Sequence, residues 1–187
     1  AIVAVYKDRV LSSAAKELDK AADGIISKVL EHGDIKADVG DLLLLTHTDG
    51  LACDRVLLVG CGDRKKLDRK QFRKAVSAAF GWLATRPYTE ATSYLSQESV
   101  KGADAFRMAS ISSETWHTTG YRFTRMKSEG DLTPIALKKL VVATRNAKSA
   151  PATRKGVAQG DALGQGMDLS RDLANLPGNL CTPRYLA

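Results

Sequence analysis

The chain has 187 residues and a formal net charge of +7, with a mass of 20.1 kDa and a sequence pI near 9.4, enough for one domain with a full core. Hydrophobic residues at 44% and charged residues at 26% are the balance of a globular protein and exclude a disordered or fibrous chain. The longest apolar run, residues 1–6, is far too short to span a membrane, and no basic n-region followed by a long apolar stretch marks a secretory signal.

Residues 1–6 (Ala-Ile-Val-Ala-Val-Tyr) are β-branched and nearly all apolar, which predicts a buried strand. A helical stripe follows at Leu11, Ala15, Leu18, Ala22, Ile25 and Val29, widened by Ile26 and Leu30. Ser12 or Ser13 caps its start, Gly33 closes it, and Gly24 is a point where it can divide. Residues 41–46 and 55–59 are apolar runs joined through Asp49-Gly50, a hairpin signal that makes them neighbouring strands. After Gly60-Cys61-Gly62 a helix starts near Asp68, with Phe72, Ala75, Val76, Ala79, Phe80 and Leu83 on one face, and Arg86-Pro87 ends it. A short strand is expected over 92–96, a helix over 103–119 against the weak propensity of its serines and threonines, a strand over 137–144 and a long helix over 152–173. This alternation predicts an α/β fold, a mixed and mostly parallel sheet with helices on both faces.

Three cysteines, Cys53, Cys61 and Cys181, make an odd number without metal-like spacing, which fits reduced thiols and a cytoplasmic setting. His32, His47 and His117 are scattered with no i, i+4 pair, so each is expected to be a surface or structural residue, and no metal ligand is assigned. Cys61 sits between two glycines after a strand, a position where a thiol can be activated or can simply fill space. The same Gly60-x-Gly62 turn could present amides to an anion, helped by Arg64, Lys65 and Lys66. It lacks the third glycine of a dinucleotide fingerprint and the Gly-Lys-Ser/Thr of a P-loop.

Seven basic residues fall within 64–74, namely Arg64, Lys65, Lys66, Arg69, Lys70, Arg73 and Lys74. The last four lie away from the apolar face of their helix and form a basic surface. Lys138, Lys139, Arg145, Lys148, Arg154 and Lys155 add to the positive charge. Such a surface can attract a phosphate backbone, or can be a solvated face balanced by acids elsewhere in a longer protein. With 6% aromatic residues there is no stacking platform for single strands. In the last long helix Gly156, Gly160 and Gly164 recur every four residues with Gly166 beside them, which predicts close backbone approach to a neighbouring element.

The final stretch, Arg171-Asp172-Leu173-Ala174-Asn175-Leu176-Pro177-Gly178-Asn179-Leu180-Cys181-Thr182-Pro183-Arg184-Tyr185-Leu186-Ala187, is a helix end, a Pro-Gly turn and a new start with Thr182 as cap and Pro183 first. One turn of helix is not stable alone, so the chain is expected to be part of a longer protein. Arg171, Asn175, Pro177, Asn179 and Pro183 carry a resemblance to the inter-domain segment of the leucyl aminopeptidase family. Val56 to Gly62 and the run Tyr121-Arg122-Phe123-Thr124-Arg125-Met126-Lys127-Ser128 resemble that family's amino-terminal domain.

The resemblance implies a macro-domain-like α/β unit over 1–150 and a connecting helix with the start of a catalytic domain over 151–187. It implies a cytosolic parent enzyme, a homohexamer, that removes amino-terminal residues (leucine preferred) from peptides with two divalent ions, manganese or zinc. The family's Asn-Thr-Asp-Ala-Glu-Gly-Arg signature is absent from these residues, so no catalytic residue is assigned and the chain alone is expected to be inactive. The implied role is packing on the catalytic domain, oligomer assembly and control of access. Some bacterial members of the family bind DNA, which keeps open a second reading as an anion-binding module for DNA or a nucleotide such as ADP-ribose.

Overall fold

The computed structural model describes residues 1–46, 48–128 and 134–186, so His47 lies outside the described residues. The fold is built on β1 (Ile2–Tyr6), all of whose residues are buried. A strand with no polar face has to be covered on both sides. Its parallel neighbours are β4 (Val56–Gly60), equally buried, and β5 (Glu90–Ser93). β3 (Leu42–Leu45) runs antiparallel to β4, with Leu42 opposite Val59 and Leu45 opposite Val56, and β6 (Lys139–Val142) runs parallel to β5. The order is β3-β4-β1-β5-β6, with the short β2 (Val10–Leu11) folded back antiparallel on β1. This is the mixed, mostly parallel sheet that the alternation of elements predicts.

Successive strand residues alternate between two cores. Val3, Val5, Val56 and Leu58 meet Ala14 and Ala15 of α1 (Ser13–Ala21) and Ile26 and Leu30 of α2 (Ile25–His32). Ile2, Ala4, Tyr6, Leu57 and Val59 meet Phe72, Val76 and Phe80 of α3 (Arg69–Leu83) and Met108 and Ile111 of α4 (Ala105–Gly120). A reciprocal box between Asp68 and Gln71 caps α3, and Asp104 caps α4 by accepting from the Arg107 amide at 2.8 Å. Phe80 and Trp116 lock the two helices edge to face, ring centres 6.2 Å apart.

The structure departs from the expected elements in three places. The helical stripe over 11–30 divides at Gly24, as its sequence allows, with Asp23 and Gly24 both in left-handed backbone at φ 49° and 76°; the departure is at Leu11, which belongs to β2. The Asp19 carboxylate spans the break by accepting from the Ile26 and Ser27 amides at 2.8 and 3.0 Å. The strand expected over 92–96 is β5, which starts earlier, ends at Ser93 and is followed by a 3-10 turn at Leu95–Gln97, because the Gln97 amide bonds back to the Tyr94 carbonyl. The strand expected over 137–144 shortens to β6. In α4 the hydroxyls of Ser112, Thr118 and Thr119 donate to carbonyls one turn back, so groups that compete with a helix are satisfied within it.

α5 (Ala150–Asn175) lies along the outside of α4 in the most extensive packing between any two elements. Gly156, Gly160 and Gly164 are its buried contact face, together with Thr153. A methyl group on Gly156 would press into the Phe106 carbonyl and sit 3.0 Å from the Ala109 Cβ. One on Gly160 would press into the Ser110 carbonyl and sit 2.8 Å from the Ser113 Cβ, and one on Gly164 would strike the His117 ring. Gly166, off this stripe, faces open space. Across the same seam the His117 ring lies between two carboxylates of α5, Nε2 at 2.8 Å from Asp161 and Nδ1 at 2.8 Å from Asp168. Only an imidazolium can donate at both nitrogens.

Gly160→Ala is expected to destabilise the chain by about 1–3 kcal/mol through overpacking, although Ala is intrinsically the better helix residue. Gly166→Ala is expected to stabilise it by up to about 1 kcal/mol. Urea unfolding of the pair separates the close-contact role from helix propensity, and equal shifts for the two would contradict it. Burial lowers the pKa of His117, but its hydrogen bonds to Asp161 and Asp168 outweigh this and raise it. Its contribution to stability is therefore fully present below the ordinary imidazole pKa of roughly 6.5 and is lost as pH rises through the raised value. Tm measured across that window should fall more for the native chain than for His117→Gln.

Candidate functional site

The parallel strands β1, β4, β5 and β6 all end at one edge of the sheet, and β1 leads to neighbours on opposite sides. In open α/β sheets crevices form outside such carboxyl ends. Here the edge carries Tyr6, the Gly60-Cys61-Gly62 turn, Glu98 and Arg145. Glu98 is only 4% exposed, and the Tyr6 hydroxyl donates to its Oε2 at 2.6 Å. Burial raises the Glu98 carboxyl pKa against the opposing pull of the Tyr6 bond, Arg64 and Arg145. The Tyr6 phenol is pushed up by its own burial and then by Glu98. Burial, and then Glu98, push the Cys61 thiol up to about 12. Cys61 is therefore a protonated, space-filling thiol rather than an activated one.

The glycine turn is occupied by its own fold. The amides of Gly60, Cys61 and Gly62 donate to the carbonyls of Asp41, Val5 and Ala37 at 2.8, 2.9 and 2.9 Å. A methyl group on Gly60 would press into the Asp38 carbonyl, so this glycine admits a chain crossing rather than a phosphate. Arg64, Lys65 and Lys66 are exposed beyond the turn, and Arg69, Lys70, Arg73 and Lys74 are exposed on the first turns of α3. Some of this charge is engaged. Arg73 makes a two-pronged bond to Glu114 at 2.9 and 3.1 Å, Lys66 lies 3.7 Å from Asp63, and Arg64 sits 5.7 Å over the Tyr6 ring.

At the amino ends of the strands a groove of about 410 Å³ is lined by Trp82, Tyr88, Arg55, Glu90 and Lys139 among others. Four of its polar or aromatic groups pair among themselves: Arg55 stacks on Tyr88 at 5.1 Å, and Lys139 lies 3.6 Å from Glu90.

The residues expected to form an inter-domain segment gather at the far end of α5. Arg171 stacks over the Tyr121 ring at 5.2 Å and lies 3.6 Å from Asp168. Asn175 donates to the Tyr121 hydroxyl at 3.1 Å, and that hydroxyl donates to Asp172 at 2.9 Å. The Pro177 carbonyl closes the following turn by accepting from Leu180 and Cys181 at 2.9 and 3.0 Å, with Asn179 exposed on it. Pro183 then opens α6 (Pro183–Leu186), whose first turn is capped by Thr182 accepting from the Tyr185 amide at 3.3 Å. Arg125 reaches back to the Tyr185 hydroxyl at 2.8 Å.

Sequence reasoning missed the partners of this cluster, Tyr121 with Asp172 and His117 with Asp161 and Asp168. The spacing of Asp161, Gly164 and Asp168, all on one helix face, was the signal that could have found the second. Among the described residues no group of three His, Cys, Asp or Glu side chains is placed to hold a metal ion. His117 itself is engaged by a different carboxylate at each ring nitrogen, an arrangement that braces a ring and does not converge on one ion. No helix among the described residues is long and apolar enough to cross a membrane.

The family model for the amino-terminal domain of the cytosol aminopeptidase family matches residues 2–130. A probable cytosol aminopeptidase of Alkalilimnicola ehrlichii is 44% identical across 100% of this chain, and one of Idiomarina loihiensis is 37% identical across 100%. One of Chromobacterium violaceum is 40% identical across 99%. The chain spans 38%, 37% and 36% of the length of these relatives. Among solved structures, a mutant tomato leucine aminopeptidase superposes with a TM-score of 0.74 at 20% identity over 100% of this chain and 37% of its own. The bottromycin maturation enzyme BotP in complex with Mn superposes at 0.70 with 23% identity over 99% of this chain and 33% of its own. These two likenesses extend the agreement to the fold, including the long final helix. By the match over residues 2–130, the chain belongs to the cytosol aminopeptidase family and carries that family's amino-terminal domain.

Proposed function

We propose that this chain is the non-catalytic amino-terminal part of a cytosolic aminopeptidase that removes amino-terminal residues, leucine preferred, from peptides. The observation that carries the reading is the alignment of the whole chain, at 44% identity, with 38% of a relative named as a probable cytosol aminopeptidase. Two divalent ions, manganese or zinc, bound by the remaining length of such a protein would supply the nucleophile and polarise the scissile carbonyl. The BotP structure named with Mn is consistent with that chemistry in a protein of the same fold.

In this reading residues 1–150 form the α/β domain and 151–187 connect it to the catalytic part. Arg171, Asn175, Pro177, Asn179 and Pro183 set the course of the chain between them. The network joining Tyr121 to Asp172 and Asn175 supports this, because it ties the segment to α4 before the chain turns at Pro177. The domain packs on the catalytic part, helps to assemble a hexamer and controls access to its interior.

A second reading, an anion-binding module for DNA or a nucleotide such as ADP-ribose, is favoured by one observation. Lys65, Arg69, Lys70 and Lys74 are exposed cations that carry no ion pair among the described residues. Side chains, rather than turn amides, would then make the contacts, and affinity would fall steeply with salt.

Leucine p-nitroanilide hydrolysis with added manganese should be at background for the 187-residue chain and present in the full gene product. Turnover by the chain alone would sink the proposal. A duplex DNA shift at low salt that disappears on neutralising Lys65, Arg69, Lys70 and Lys74 would bring the second reading forward.

A further inference from the structure

We propose that the cavity between the amino ends of α4 and α5 binds a free amino acid, its carboxylate on Arg145 and its ammonium on Glu98. The cavity has a volume of about 320 Å³, at the lower end of the roughly 300–1,000 Å³ of small-molecule sites.

Most polar groups on its wall are already engaged. Asp104 caps α4, Ser96 bonds Ser112 at 3.2 Å, and Asn146 and Ser149 bond each other. Asp104 keeps Oδ2 unbonded among the described residues, on an exposed side chain, and three further groups are left with capacity. Arg145 uses Nε and Nη2 on the Gln97 carbonyl and the Ser99 hydroxyl, and no bond engages Nη1 among the described residues. Glu98, 4% exposed, has Oε2 taken by Tyr6, while Oε1 has no donor among the described residues. Thr153, 5% exposed, lines the cavity with a hydroxyl that bonds nothing among the described residues.

One cation and one buried carboxyl in a single cavity complement a zwitterion. A phosphate would have to face the carboxyl, and a metal ion the guanidinium. The remaining wall is apolar, from Val100 and Met108, and suits an aliphatic side chain. Arg145 also stands just before the start of α5, where the helix dipole favours a carboxylate. The bonds at both ends of the ligand would be charge-assisted, and the one at Glu98 would be sheltered from water.

The inference stands apart from the aminopeptidase reading, because its test reads binding to this chain and not turnover. Calorimetric titration of the 187-residue chain with leucine should show saturable binding at one site. N-acetylleucine, which lacks the ammonium, and leucinamide, which lacks the carboxylate, should each bind about tenfold or more weakly. Arg145→Gln, at an exposed position, should lose binding by a similar factor, and so should Glu98→Gln, which keeps an acceptor for Tyr6. Should Glu98→Gln fail to fold, Arg145→Gln decides. No heat with leucine, binding of inorganic phosphate in its place, or leucine affinity unchanged in Arg145→Gln would overturn the assignment.

Discussion

The carboxy-terminal half of this molecule depends on how closely two helix backbones approach each other. Gly156, Gly160 and Gly164 let α5 settle against the carbonyls of α4, where any side chain would hold it away. Three glycines inside one helix cost about 1 kcal/mol each relative to Ala, so the contact has to return more than that in packing. It also sets the geometry of everything beside it. With α5 at this distance Asp161 and Asp168 reach both nitrogens of His117, and Asp172 and Asn175 reach Tyr121. At its other end the same contact brings Thr153 to the wall of the cavity that holds Glu98 and Arg145.

The sheet supplies the complementary constraint. β1 is buried along its whole length between two parallel neighbours, so its carboxyl end can only open into the interior or into a crevice. Tyr6 ends the strand there, and its hydroxyl donates a hydrogen bond to Glu98. A carboxyl so buried is tolerable because one oxygen is satisfied by Tyr6 and two guanidinium groups lie near enough to favour its charged form. The glycine turn beside it spends its amides on neighbouring carbonyls, which is how a tight crossing of residues 37–41 is accommodated.

Much of this was legible in the sequence for identifiable reasons. β1, β4 and α3 announce themselves because their apolar residues follow a single period without interruption, and the Asp49-Gly50 signal correctly joins two antiparallel strands. The glycine stripe foretells close approach, though not which helix is approached. What stayed hidden depended on contacts distant along the chain. The break between α1 and α2 is stabilised by Asp19 bonding amides seven and eight residues on, and no propensity argument anticipates that bond. Glu98 drew no reading from the sequence, because only the fold brings it to Tyr6, 92 residues away. The basic face read from Arg69, Lys70, Arg73 and Lys74 is exposed, yet Arg73 on it is paired with Glu114 from another helix.

The directions in which the titratable groups are shifted bear on what the domain can do. A nucleophile is made by lowering a thiol's pKa and a general base by leaving a group free to take a proton near neutral pH. Here the Cys61 thiol and the Tyr6 phenol are driven upward by burial, toward forms that hold their protons. The His117 ring is bonded by a carboxylate at each nitrogen, and those bonds raise its pKa. Burial keeps the thiol and the phenol protonated, and the two carboxylates brace the imidazole ring. Glu98 and Arg145, by contrast, keep bonding capacity unspent among the described residues at a cavity wall, at Oε1 of the one and Nη1 of the other.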